Sequence, residues 1–135
     1  MEAILSRCGY RCDLCMAYRP NVVANPSNQQ ILSDGWHKYF GFRIPAEKIV
    51  CDGCMADNPQ LIDSECLVRP CVIDRALQNC AECAGYGCEK LAKRLVIYED
   101  IADRFEGAIA EEDRAGFIAP YENKIRLEAL RAKRP

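Results

Sequence analysis

The chain has 135 residues, enough for a single domain of modest core. Lys and Arg number 18 against 20 Asp and Glu, and the resulting formal net charge of −2 argues against a dedicated nucleic-acid binder. Half the residues are hydrophobic, but that figure includes ten cysteines, which do not pack a core as aliphatic side chains do if they hold metal. Four thiolates around one Zn²⁺ leave a net charge of about −2, so metal loading would make the protein more acidic.

At the N-terminus the apolar run Ala3–Ile4–Leu5 stops at Ser6 and Arg7, far short of the roughly 7–15 apolar residues of a secretory signal. The longest later run, Leu95–Val96–Ile97–Tyr98, lies between Arg94 and Glu99 and is too short to span a membrane. These features predict a cytoplasmic chain with no membrane partner. In a reducing compartment, clustered cysteines serve as metal ligands or redox centres more often than as structural disulfides.

All the cysteines fall between Cys8 and Cys88, which divides the single domain 1–135 into a cysteine-rich body, 1–88, and a helical tail, 89–135. In the body, Ser27 is a candidate N-cap for a helix that carries Ile31, Leu32, Trp36, Tyr39 and Phe40 and stops at Gly41. Pro45 to Ile49 reads as one helical turn, and Asp57-Asn58-Pro59 as a turn. In the tail, Leu91, Leu95, Tyr98, Ala102 and Phe105 recur at gaps of about three and four, which predicts one helix from Glu89 to Phe105. A second helical stretch starts near Glu111, is interrupted at Pro120 and ends on Arg131, Lys133 and Arg134, cations that suit a helix C-terminus. There is no fixed-period repeat.

The chemistry is carried by the cysteine spacing: Cys8-x3-Cys12-x2-Cys15, Cys51-x2-Cys54, Cys66-x4-Cys71 and Cys80-x2-Cys83-x4-Cys88. A gap of two lets one tight turn aim both sulfurs at a single ion, and two such pairs complete a tetrahedral zinc site with Zn–S near 2.3 Å. Thiolates at short gaps also hold iron–sulfur clusters, so zinc and an iron–sulfur cluster both stand as cofactors, with ordinary buried or disulfide-bonded cysteines as the plain alternative. The first triplet matches the bare spacing of radical S-adenosylmethionine enzymes, but their barrel needs a far longer chain. Gly53 permits the positive φ that a C-x2-C turn uses, and Gly9 after Cys8 lets backbone amides approach a thiolate cluster.

The spacing predicts Cys12, Cys15, Cys51 and Cys54 as metal ligands, in one site as the simplest arrangement. Cys66, Cys71, Cys80 and Cys83 are expected to form a second group, with Cys8 and Cys88 as surplus thiols or alternates.

Taken in order, Cys8-Gly9-Tyr10-Arg11-Cys12-Asp13-Leu14-Cys15, Cys51-Asp52-Gly53-Cys54, Glu65-Cys66 with Pro70-Cys71, and Cys80-Ala81-Glu82-Cys83 with Gly87-Cys88-Glu89 resemble an uncharacterised cysteine-rich prokaryotic family, domain of unknown function three-seven-nine-five. Members of that family are often labelled as possible zinc-binding proteins. The resemblance implies metal binding and supplies no reaction. Gly87 before Cys88 and Pro70 before Cys71 depart from the family pattern without removing a ligand.

Other residues read more plainly. His37, the only histidine, sits beside Trp36 on the predicted helix and is expected to pack or face solvent. Arg7, Arg11 and Arg19 flank the first cysteines and serve either as anion or thiolate partners or as charge compensation. Glu111-Glu112-Asp113 suits a solvated helix start. No serine-hydrolase elbow or phosphate-binding loop is present. The sequence therefore predicts a small, irregular, α-rich domain, α+β at most, tied by metal–thiolate cross-links, with two C-terminal helices packed on the body. Its expected role is metal binding, with an iron–sulfur electron-transfer or redox-sensing protein or a protein or nucleic-acid interaction module as alternatives. A protein partner is compatible with the sequence and nucleic acid is disfavoured by charge.

Overall fold

In the computed structural model the described residues are 2–134; the outermost ends of the predicted span, Met1 and Pro135, lie outside them. The predicted α-rich class is found. Seven short α-helical segments occur among the described residues, and the only β pairing there is two isolated bridges, Leu5 with Arg11 and Tyr18 with Cys51.

The helices in the body are α1 (Arg19–Ala24), α2 (Asn28–Phe40) and α3 (Val68–Asp74). Helix α2 follows the predicted amphipathic pattern. Leu32, Trp36 and Tyr39 are buried, Ile31 is exposed, and the N–H of left-handed Gly41 closes the last turn on the His37 and Trp36 carbonyls. Ser27 precedes the helix but does not cap it with its side chain; its hydroxyl donates to Asn25 Oδ1 instead. The predicted turns over Pro45–Ile49 and around Asn58 are present as a 3₁₀ turn, Ala46–Lys48, and a left-handed residue at Asn58.

The tail departs from the sequence reading. The expected helix from Glu89 to Phe105 is two short helices, α4 (Glu89–Ala92) and α5 (Tyr98–Arg104), with extended chain between them. The cause is a tertiary hydrogen-bond set that replaces the helical ladder. Fully buried Asn123 accepts the Val96 N–H at 2.8 Å and donates to the Arg94 carbonyl at 3.1 Å and the Cys8 carbonyl at 2.8 Å. Beyond it, α6 (Glu111–Asp113) runs into a π turn, Arg114–Ile118, and a 3₁₀ turn carrying Pro120, before α7 (Asn123–Ala132).

The tail does not simply lie over the body, because it supplies part of every core cluster. Leu127 of α7 packs with Cys8, Val68, Val72, Cys80, Ala81 and Leu91. Tyr121 packs with Ala17, Leu32, Trp36 and Ile49, and Ile118 and Ile101 pack with Tyr39. With no sheet to organise the layers, these small clusters are joined through the C-terminal segment. Gly9 shows how close that approach is. It has φ +94°, and a Cβ there would lie 2.8 Å from Leu127 Cγ, so a glycine at this position admits α7.

Candidate metal centre

The first cysteine group is built by two backbone pairings. The antiparallel bridge between Leu5 and Arg11 folds the Cys8 loop back, and a parallel bridge between Tyr18 and Cys51 lays the segment after Cys15 beside the second C-x2-C turn. The Cys51 N–H donates to the Ala17 carbonyl at 2.8 Å, and the Arg19 N–H donates to the Cys51 carbonyl at 2.7 Å. Gly53 takes the positive φ expected of it, +85°, and a Cβ at this position would stand 3.6 Å from Cys12 Sγ. The turn of one pair therefore lies directly against a sulfur of the other.

Backbone amides point at these sulfurs. The Gly53 N–H donates to Cys51 Sγ at 3.4 Å and the Arg7 N–H to Cys54 Sγ at 3.1 Å, and donors of this kind favour the thiolate form. Cys15 Sγ lies 2.9 Å from the Tyr121 hydroxyl. Burial dominates over these donors. It pushes the Cys12 thiol up to about 12, with the neighbouring charge of Cys54, Cys15 and Cys51 adding to the rise, and it raises Cys15 and Cys54 as well. Arg69 fixes the turn by donating to the carbonyls of Cys54 and Ala56 at 2.8 and 3.1 Å.

These thiols open onto a cleft of about 970 Å³. Cys8, Cys12, Cys15, Cys51, Cys54 and Cys66 line one part of it, and Trp36, Phe40, Phe42, Ile44 and the Leu95–Ile97 segment line the apolar remainder.

The second group differs from the sequence expectation in membership. Cys71, Cys80, Cys83 and Cys88 surround a cavity of about 20 Å³, just large enough for one water-sized occupant. Cys88, a surplus thiol or an alternate on spacing, lines this cavity, and Cys66 lines the main cleft instead. The Cys80 turn is capped by Asn79, whose Oδ1 accepts the Ala81 N–H at 2.8 Å. The Gly85 N–H donates to Cys83 Sγ at 3.3 Å, repeating the amide-to-sulfur contact of Gly53. Burial pushes Cys80 up to about 12, with the charges of Cys8, Cys88, Cys83 and Cys71 acting in the same sense.

All ten cysteines are free thiols. Among the described residues, no three His, Cys, Asp or Glu side chains are drawn tightly enough to hold an ion as they stand, so the thiols are gathered but not closed. The donor set nonetheless fits a soft metal, being thiol only at both groups, with amide N–H donors already directed at sulfur. His37 is exposed on α2, as expected.

The family description "Protein of unknown function (DUF3795)" matches residues 4–93 of the chain, about two thirds of its length and every one of its cysteines. The chain belongs to this family. No curated protein and no solved structure matches it. The family span ends at the residue before Arg94, so α5 to α7 lie outside it, including the Asn123 and Tyr121 side chains that hold the Cys8 loop and touch Cys15.

Several side-chain contacts were invisible to spacing. Arg131, read as part of a solvated basic end, donates to the carbonyls of Ala81 and Cys83 at 3.1 and 2.9 Å and stacks over Tyr86, clamping the Cys80 turn. Arg11 and Arg19 pair with Asp13 and Asp52 and not with thiols. Asp113, from the acidic run at the start of α6, accepts from Tyr39 and pairs with Lys38. No helix among the described residues is long and apolar enough to cross a membrane.

Proposed function

We propose that the protein binds zinc through two all-cysteine centres, one formed by Cys12, Cys15, Cys51 and Cys54 and one by Cys71, Cys80, Cys83 and Cys88, and that these metal–thiolate cross-links hold the fold. One observation carries the reading. Thiols up to about forty residues apart in sequence converge in two groups without forming a disulfide, and one group encloses a cavity of ion size. The amide donors on Cys51, Cys54 and Cys83 support the same assignment, because they stabilise the sulfur charge that a bound cation needs. The reading requires a reducing, cytoplasmic setting, where such thiols stay available to metal.

Zinc here is structural, since four protein thiolates leave no coordination position for a reactant. The test is elemental analysis of protein purified without oxygen and without added chelator. At least two zinc ions per chain are expected. Fewer than one metal per chain overturns the reading, and iron with acid-labile sulfide in brown protein replaces zinc by a cluster on the same thiols.

A further inference from the structure

The main cleft has a wall that is not made of cysteine. Four aromatic side chains line it and meet in a row. Tyr10 meets Tyr121 edge-on with ring centroids 5.4 Å apart, Tyr121 meets Trp36 at 5.8 Å, and Trp36 meets Phe42 at 5.6 Å. The row begins at a charge, because the Arg94 guanidinium lies 5.4 Å from the centre of the Tyr10 ring. It ends at Phe42, which packs on Trp36 yet remains 46% exposed at the cleft. Leu95, Val96 and Ile97, which follow Arg94 in extended chain, line the same space.

The charged end is incompletely partnered. Arg94 pairs with half-exposed Asp63 through Nη1, while its buried Nε has no partner among the described residues. Arg7 also lines the cleft. Its Nη1 donates to the Leu77 and Gln78 carbonyls at 3.0 Å each, both neutral acceptors, and its Nε is likewise buried without a partner among the described residues. Guanidinium groups with unmet donors beside an apolar wall favour an anion, and a carboxylate matches their planar fork. The cleft volume of about 970 Å³ is that of a small-molecule site, and such sites combine apolar walls with a few polar groups at one end.

We propose that the cleft binds a small amphipathic carboxylate, with its apolar body along the row from Tyr121 to Phe42 and its head group toward Arg94, and with Arg7 as the second cation of the site. The proposal goes beyond the metal reading and does not rest on it, since neither the aromatic row nor the two arginines contribute a thiol. A fatty-acid-like chain covers the exposed face of Phe42, and the carboxylate supplies the anion that the protein does not.

The experiment uses Trp36, the only tryptophan of the chain, as the reporter within the wall. Decanoate, and decanamide as its uncharged counterpart, are titrated into the full-length protein in reducing buffer, with Trp36 emission and circular dichroism read together. Decanoate is expected to give a saturable emission change with the helical signal intact, and decanamide to bind about tenfold or more weakly. Arg94→Gln is expected to weaken decanoate about tenfold and to leave decanamide unchanged, whereas Phe42→Ser, at an exposed ring, is expected to weaken both ligands. No saturable change up to about 1 mM decanoate overturns the proposal, as does equal binding of decanamide. Unchanged decanoate affinity in Arg94→Gln also overturns it. An emission change accompanied by loss of the helical signal reports unfolding by a detergent-like additive and overturns it too. Should Arg94→Gln fail to fold, the wild-type ratio of decanoate to decanamide affinity decides alone.

Discussion

The Asn123 side-chain amide donates to the Cys8 carbonyl at 2.8 Å, so the first residue of the last helix holds the loop that carries the first cysteine. The same side chain satisfies Val96 and Arg94, and no part of it reaches solvent. Asn123→Ala would leave the Val96 N–H and the Cys8 carbonyl without partners, while the Arg94 carbonyl keeps the Tyr10 hydroxyl at 2.7 Å, at a cost of roughly 2–4 kcal/mol. Denaturant melts of the metal-loaded protein should show that loss, and amide exchange at Val96 should accelerate. An unchanged midpoint would mean that water replaces the amide.

Tyr121 offers a prediction about the first centre. Burial raises the tyrosine hydroxyl far above its ordinary range, so it keeps its proton, and at 2.9 Å it becomes the donor once Cys15 is a thiolate. Tyr121→Phe removes that donor and little volume. Zinc affinity of the Cys12, Cys15, Cys51 and Cys54 group should fall about 10–100-fold, as for other partners of metal ligands, with the second group unaffected. Competition with a chromophoric chelator measures both steps.

How legible this was from sequence can be judged from particular residues. The α2 stripe, its Gly41 stop and the positive φ of Gly53 follow from local pattern and were readable. The break between α4 and α5 was not. Leu91, Leu95, Tyr98, Ala102 and Phe105 keep helical spacing, yet Asn123, some thirty residues away, captures Arg94 and Val96 and draws the backbone out of the ladder. The approach of the Cys51–Cys54 turn to Cys12 was readable because both pairs have a gap of two. The places of Cys66 on the main cleft and Cys88 on the small cavity were not, because each stands five positions from its neighbouring cysteine and only the packing of α3 and α4 separates them. Arg131 looked like a dipole-favoured terminus, and nothing local marks the two carbonyls it clamps.

Binding should depend on pH with a definite sign. Burial holds Cys12 near 12 and raises Cys15 and Cys54, so at neutral pH these thiols carry their protons in the metal-free fold. A cation must displace at least three of them at this group, and protons compete more strongly as pH falls. Apparent zinc affinity should therefore drop on the order of 10³-fold for each pH unit lost between 8 and 6. Calorimetry in buffers of different ionisation enthalpy counts the protons released; fewer than two per ion would show that the thiols are already ionised.

An acidic effect independent of metal is expected at Asp13. Its buried carboxylate accepts from Arg11 at 2.8 and 2.7 Å and from the Ile4 N–H at 2.9 Å, which holds it well below the usual carboxylate range. A depressed native pKa stabilises the fold above the unfolded value near 4, and that contribution is lost as pH falls through the native value. Asp13→Asn should cost roughly 1–3 kcal/mol at pH 7 and make stability less dependent on pH below about 4. Equal acid sensitivity in wild type and variant would assign the transition to other carboxylates.

The central claim is that thiolate-bound metal holds this domain together. Structural zinc can contribute on the order of 10–16 kcal/mol in small peptides, as much as the roughly 5–15 kcal/mol net stability of a whole domain. The direct measurement is a thermal melt followed by circular dichroism in reducing buffer, before and after chelation, with metal removal verified by elemental analysis. The account predicts that the cooperative transition is lost or shifted far down on removal and restored by zinc. A melt unchanged in midpoint and cooperativity after complete removal would contradict it and leave the three small apolar clusters as the sole support of the fold.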